Sequence, residues 1–172
     1  LKNMAITRPN QVWCSDITYI RMKGGFMYLV VVMDWYSRYV ITWELSNSLE
    51  TWFCTSAIHA ALAYEKPTIF NADQGSQFTS HEFTDILKNH QIEISMDGKG
   101  RYLDNIMIER LWRSLKYEDI YLKQYETVPD LYDGLTRYFQ HYNMERPHQS
   151  LDYRTPVELY QNQPKTKEVV LC

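Results

Sequence analysis

Val12-Trp13-Cys14-Ser15-Asp16-Ile17-Thr18-Tyr19-Ile20 is a run of β-branched and aromatic residues with one carboxylate at its centre. Such a run reads as a β-strand. An ionised side chain inside it is costly to bury unless it is paired or binds a cation, so a purely structural strand would place Val or Thr there. The alternative is an Asp on an edge strand, facing water. Lys23-Gly24-Gly25 follows as a turn, and strand patterns recur at 26–33 and 39–44, which predicts three consecutive antiparallel strands.

Beyond these strands the pattern alternates. A helix is expected at 49–64, with Trp52, Ala57, Ile58, Ala61 and Leu62 on its apolar face. A strand at 68–71, a helix at 80–90 and a strand at 91–95 then imply parallel additions to the same sheet. The expected product is an α/β fold, a five-stranded mixed sheet flanked by helices on both faces. After Asp97-Gly98-Lys99-Gly100, a loop carrying two glycines, come a helix around Glu109 and another at 129–142.

Two further carboxylates stand in informative places. Asp73 follows Pro67-Thr68-Ile69-Phe70-Asn71-Ala72, so it sits where a strand ends in a loop, the usual ligand position in open α/β sheets. Position alone also allows an Asp that starts the turn before Gly75. Glu109 lies in a helix whose apolar face is Ile108, Leu111, Trp112 and Leu115, with Asp104 or Asn105 as candidate caps. Arg113 and Lys116 continue the Glu109 stripe one and two turns on, which suits either metal and phosphate contacts or a solvated salt-bridge stripe. Trp112 reads as a core residue.

Composition frames these readings. The 172 residues are 45% hydrophobic and 15% aromatic, enough for one well-filled core. Cys14, Cys54 and Cys172 are too few and too scattered for a disulfide framework or a CxxC zinc site, and a reducing compartment fits them. No membrane span or signal peptide is legible. The formal net charge of −3 argues against a generally basic nucleic-acid binder, so any such contact must come from local patches. Because the sequence starts with Leu1, an upstream module outside it is expected.

The ordered motifs carry a resemblance. They are Pro9-Asn10-Gln11-Val12-Trp13 leading into Asp16-Ile17-Thr18-Tyr19, then Asp73-Gln74-Gly75-Ser76-Gln77-Phe78-Thr79-Ser80, then Gly98 to Asn105 before Glu109. A fourth is Tyr142-Asn143-Met144-Glu145-Arg146-Pro147-His148-Gln149-Ser150-Leu151, followed by Thr155-Pro156. The chain resembles the catalytic core of the DDE transposases of bacterial insertion sequences, which share an RNase H-like fold with retroviral integrases. The resemblance covers residues 8–160, leaving 1–7 as a linker from an upstream region and 161–172 as a flexible tail.

The resemblance implies a cytoplasmic, nucleoid-associated enzyme of DNA transposition, with Asp16, Asp73 and Glu109 as catalytic metal ligands. It implies Mg²⁺ or Mn²⁺, as two ions, since hard oxygen donors suit both. Lys99, Arg101, Arg113 and Lys116 would contact DNA, and element ends and target DNA would be the partners of a homodimer or higher oligomer. Tyr142, Asn143, Arg146, Pro147 and His148 are expected to fold the C-terminal segment onto the core. Two departures stand out: Asn71-Ala72 precedes Asp73 where relatives often have His-Ser, and no helix-turn-helix region is present. Sequence-specific end binding is therefore expected to be reduced. A His/Cys zinc module is not expected.

The chemistry follows from charge. Three ionised carboxylates within about 4 Å would repel pairwise by roughly 4 kcal/mol at an effective dielectric near 20. Without a cation one carboxyl should therefore take up a proton, and divalent ions should relieve the repulsion. Ser15, Ser76 and Tyr19 lack a paired general base, which disfavours a covalent intermediate. Two other readings stay open: an RNase H-like structure-selective nuclease, and an inactive DNA-binding or dimerisation module.

Overall fold

The computed structural model describes residues 1, 4–96 and 106–161. Its centre is a five-stranded sheet in the order β3-β2-β1-β4-β5. β1 (Val12–Met22), β2 (Gly25–Asp34) and β3 (Val40–Ser46) form the antiparallel half. β4 (Ile69–Ala72) and β5 (Glu93–Met96) add in parallel beside β1. β1 is thus a central strand, which removes the edge-strand reading of Asp16.

Alternation along β2 builds two cores from one strand. Leu29, Val31 and Met33 face one layer, while Val30 and Val32 face the other. On the first side they meet α4 (Ile106–Leu115) and α6 (Val128–Met144), through Ile108, Leu111, Leu115, Leu135 and Phe139. On the second they meet α1 (Trp52–Leu62) and α3 (His81–Asn89), through Phe53, Ile58, Phe83 and Leu87. Each fully buried Leu, Ile or Val contributes about 1.5–3 kcal/mol, which is why the near-continuous apolar run of β2 sits in the middle of a layered sandwich. Helices therefore cover both faces, as the alternating pattern predicts.

Several boundaries differ from the sequence expectation. The apolar face of α1 is rotated: Phe53 is fully buried and Trp52 is 47% exposed. The residues 53, 54, 57, 58 and 61 form the buried stripe, and Trp52 lies off it by one position. The expected helix at 80–90 is preceded by a separate turn, α2 (Ser76–Thr79), and Ser80 caps α3 by accepting from the Phe83 amide at 3.1 Å. β5 starts at Glu93, because Gln91 takes a left-handed conformation (φ 57°) that ends the helix.

The helix carrying Glu109 does not stop at Leu115. It widens into a π-helical turn (Lys116–Ile120) and a short α5 (Tyr121–Lys123). Within that turn Asp119 is buried and accepts hydrogen bonds from Lys123 Nζ and Tyr125 Oη. The candidate caps Asp104 and Asn105, the loop 97–100 and the tail from 162 lie outside the described residues.

The C-terminal motif packs as expected. Tyr142 is buried in the first core, and the Asn143 carboxamide accepts from the Val40 amide and donates to the Val40 carbonyl, both at 2.9 Å. His148 meets Tyr142 edge-on at 4.7 Å, and Arg146 grips Glu118 of the π turn through two nitrogens. The chain then ends its described part in α7 (Pro156–Gln161). Among the described residues no helix is long and apolar enough to cross a membrane.

Candidate active site

Asp16 owes its surroundings to the sheet. β1 and β4 pair in parallel as far as Ser15 opposite Ala72, so Asp16 and Asp73 are the next residues along two adjacent strands. Where β4 leaves the sheet a cleft of about 450 Å³ opens, lined by both carboxylates together with Tyr19, Leu49 and Gln77. The separation of 57 positions in sequence is thus closed by one register. This is the crevice beyond the carboxyl end of a parallel strand, where open α/β sheets hold ligands.

Asp73 is shaped by its turn. Its Oδ1 accepts from the Gly75 amide at 2.9 Å, and a Cβ on residue 75 would come within 2.9 Å of that same oxygen. A side chain at position 75 would push the Asp73 carboxylate from its place, so Gly75 lets that carboxylate close on the turn. The turn reading and the site reading are compatible, since one oxygen fixes the loop and the other is left for the cleft.

Glu109 arrives from α4. It is exposed, one turn before Trp112 on the same helix. Trp112 is buried on the apolar face, yet its indole Nε1 donates to Asp16 Oδ2 at 2.8 Å. The indole locks the end of α4 to the centre of β1 and brings Glu109 into electrostatic reach of Asp16. The core reading of Trp112 was therefore incomplete. Its legible signal was the i+3 spacing from Glu109, with a single polar atom on an otherwise apolar stripe.

The electrostatics agree with this geometry. Burial pushes the Asp16 carboxyl up from 3.8 to about 6, and the charges of Asp73 and Glu109 push in the same direction. The Trp112 indole and the Ile17 amide act against them. Burial lowers the Lys116 ammonium, while the nearby Asp16 opposes that change. Lys116 Nζ lies 4.8 Å from the centroid of the Tyr19 ring, at the margin of the cleft.

Asp16, Asp73 and Glu109 supply hard oxygen donors of the kind Mg²⁺ and Mn²⁺ take. Asp16 and Asp73 share the cleft, and Glu109 acts on it from α4. Among the described residues no group of three acidic, thiol or imidazole side chains is close enough to enclose an ion. The fold brings Asp16 and Asp73 together, while Glu109 stands outside the residues lining their cleft and reaches Asp16 through its charge. Among the described residues, no ion pair joins Glu109 to Arg113 or Lys116, so the salt-bridge stripe is not what forms. Arg113 is exposed on α4, while Lys99 and Arg101 lie outside the described residues. Asn71 and Ala72, ahead of Asp73, are both buried in β4.

The chain is similar in sequence and fold to known proteins. The model of an integrase core domain matches residues 6–101, and a second integrase core domain model matches residues 90–156. The transposase for insertion sequence element IS904 of Lactococcus lactis is 35% identical over 154 residues, covering 87% of this chain and 61% of that protein. A putative transposase for IS150 of Escherichia coli is 34% identical over 167 residues, covering 94% of this chain and 58% of that protein. The chain thus spans about 60% of the length of these relatives.

Among solved structures, the HTLV-2 integrase catalytic core domain in complex with magnesium superposes with a TM-score of 0.73 at 22% identity. It covers 89% of this chain and 97% of that one. The catalytic core domain of BIV integrase gives 0.71 at 19% identity, over 88% of this chain and 94% of that one. At such identities the likeness establishes the fold, RNase H-like with a five-stranded mixed sheet. The chain belongs to the integrase core domain family.

Proposed function

We propose that this chain is the catalytic core of a DNA transposase, nicking the ends of an insertion element and joining the freed 3′-OH to a second strand. The observation that carries it is the meeting of Asp16 and Asp73 in one cleft with Glu109 of α4 acting on it. Supporting it are the family membership and the relatives' descriptions as transposases.

Asp16, Asp73 and Glu109 would hold divalent cations, two of them in the fullest reading. When bound, the cations would activate the attacking oxygen and stabilise the leaving 3′-oxygen of an in-line displacement. The chain's own residues do the positioning. Trp112 holds one oxygen of Asp16, and the Gly75 amide holds one oxygen of Asp73. Lys116 stands beside Asp16, where it would take the phosphate next to the scissile bond, and Arg113 would extend that grip along α4. Lys99 and Arg101 would reach either DNA partner. Joining two ends calls for at least two protomers acting together.

The test is incubation of the chain with labelled element-end DNA and Mn²⁺ or Mg²⁺, beside Asp73→Asn. Nicked and joined products from the unaltered protein alone are expected. Equal products from both proteins defeat the assignment. Cleavage of branched or RNA–DNA substrates with no joining selects the structure-selective nuclease instead. Absence of metal binding that depends on Asp16 and Asp73 selects the inactive module.

A further inference from the structure

We propose that the groove beside the carboxylate cleft is a track for an unpaired DNA strand, with phosphates on Arg21, Lys23 and Lys116 and bases stacked on Tyr19 and Tyr121. The proposal rests on the DNA reading above and names the form of DNA this part of the site takes.

The groove has a volume of about 580 Å³ and runs between the far end of β1 and the helical segment after α4. It meets the carboxylate cleft at Tyr19, which lines both. A strand leaving Asp16 and Asp73 would therefore pass Tyr19 to enter it. Its wall on the helical side is built by the π turn. The wide turn begins at Lys116 and brings Lys116, Ile120 and Tyr121 to the groove together.

Charge points to a polyanion. Among the described residues, Arg21, Lys23 and Lys116 line the groove against one acid, Glu126. In a chain of formal net charge −3 this is a local reversal of sign. Phosphates alone would account for the cations but not for the rings. Tyr19 is 60% exposed and Tyr121 55%, and both sit outside the two hydrophobic cores.

Each ring is braced. Phe26 meets Tyr19 at 5.7 Å and 83°, and Tyr117 meets Tyr121 at 5.4 Å and 87°. Exposed, buttressed tyrosines interleaved with cations are the elements of a single-strand platform, in which bases stack and phosphates follow the basic wall. Paired bases in a duplex already stack on one another and offer no free faces to these rings. The rings therefore favour an unpaired strand over a duplex.

The experiment measures fluorescence anisotropy of a labelled oligothymidylate of roughly 12 nucleotides, and of a duplex of equal length, with the full chain in EDTA. Arg21→Gln with Lys23→Gln should lower the slope of log affinity against log salt by about 1.4 for the single strand, at about 0.7 per phosphate contact. Tyr121→Ala should weaken the single strand about fivefold or more with little change in slope, and leave the duplex unaffected.

Unchanged single-strand affinity in both Tyr19→Ala and Tyr121→Ala would overturn the proposal, as would an equal loss for the duplex. A dimer that becomes monomeric in Tyr121→Ala, with single-strand affinity intact, would also overturn it and mark the patch as a protein interface. The two readings fail separately. Ring-dependent strand binding without triad-dependent products removes the transposase reading alone, and triad-dependent products with normal binding in the tyrosine variants remove the groove alone.

Discussion

Replacing Asp16 by Asn should stabilise the fold at neutral pH while abolishing metal-dependent activity. Asn keeps the shape of Asp, and its carbonyl can still accept from Trp112 Nε1, so the perturbation removes charge and little else. The Asp16 carboxyl ionises at 3.8 when free and at about 6 in the fold, because burial and two neighbouring carboxylates oppose its charge. At about 1.4 kcal/mol per pH unit, the ionised side chain costs the folded state roughly 3 kcal/mol at pH 8. Between pH 3.8 and 6 the folded state holds a proton that the unfolded state has released, so the contribution of Asp16 to stability falls as pH rises through that window.

The assay is urea unfolding of both proteins from pH 4 to pH 8 in EDTA, read by tryptophan fluorescence. The difference in unfolding free energy should be near zero at pH 4, grow in favour of Asp16→Asn, and level off near 3 kcal/mol by about pH 7. Adding Mg²⁺ at pH 8 should close part of the gap by stabilising only the unaltered protein. A difference independent of pH, or a variant less stable at pH 8, would refute the reasoning. Either result would mean that the cleft does not press charge upon Asp16.

Further outcomes are expected elsewhere. Trp112→Phe removes the only donor α4 directs at Asp16, and should cost about 2 kcal/mol at pH 8 in the same unfolding assay. Asn143→Leu strands the Val40 amide and carbonyl, and should cost about 3 kcal/mol by thermal or urea unfolding, with loss of native-state protection at the Val40 amide in hydrogen exchange. Gly134→Ala places a methyl on the Tyr125 hydroxyl, displacing it from Asp119, and calorimetric unfolding should show a loss of about 2 kcal/mol. Lys116→Gln should lower the salt slope of duplex binding by about 0.9 for one lost phosphate contact, read by anisotropy at several salt concentrations.

Much of the fold was legible because its periodicities are strong. The alternation of strand and helix patterns announced a mixed sheet with helices on both faces, and the stripe Ile108, Leu111, Trp112 and Leu115 announced the α4 face. What escaped was local. The one-residue rotation of α1 depends on where its first turn begins, which Trp52 and Phe53 cannot settle between themselves since both are aromatic. The π turn at Lys116 to Ile120 has no composition signal, and its Ile120 joins a core drawn largely from distant parts of the chain.

Short-range patterns that a linear reading detects specify the element types, the mixed sheet and the three candidate carboxylates. The folded arrangement puts Asp16 and Asp73 in one cleft, since their proximity rests on the parallel register of Ser15 with Ala72. It alone gave Trp112 a polar partner and Tyr19 a cation, because contacts across 96 and 97 positions leave no local trace in the chain. The raised Asp16 carboxyl has the same origin. Burial and like charge act through space, and a strand written as Val12 to Ile20 holds no record of which neighbours will surround its one acid.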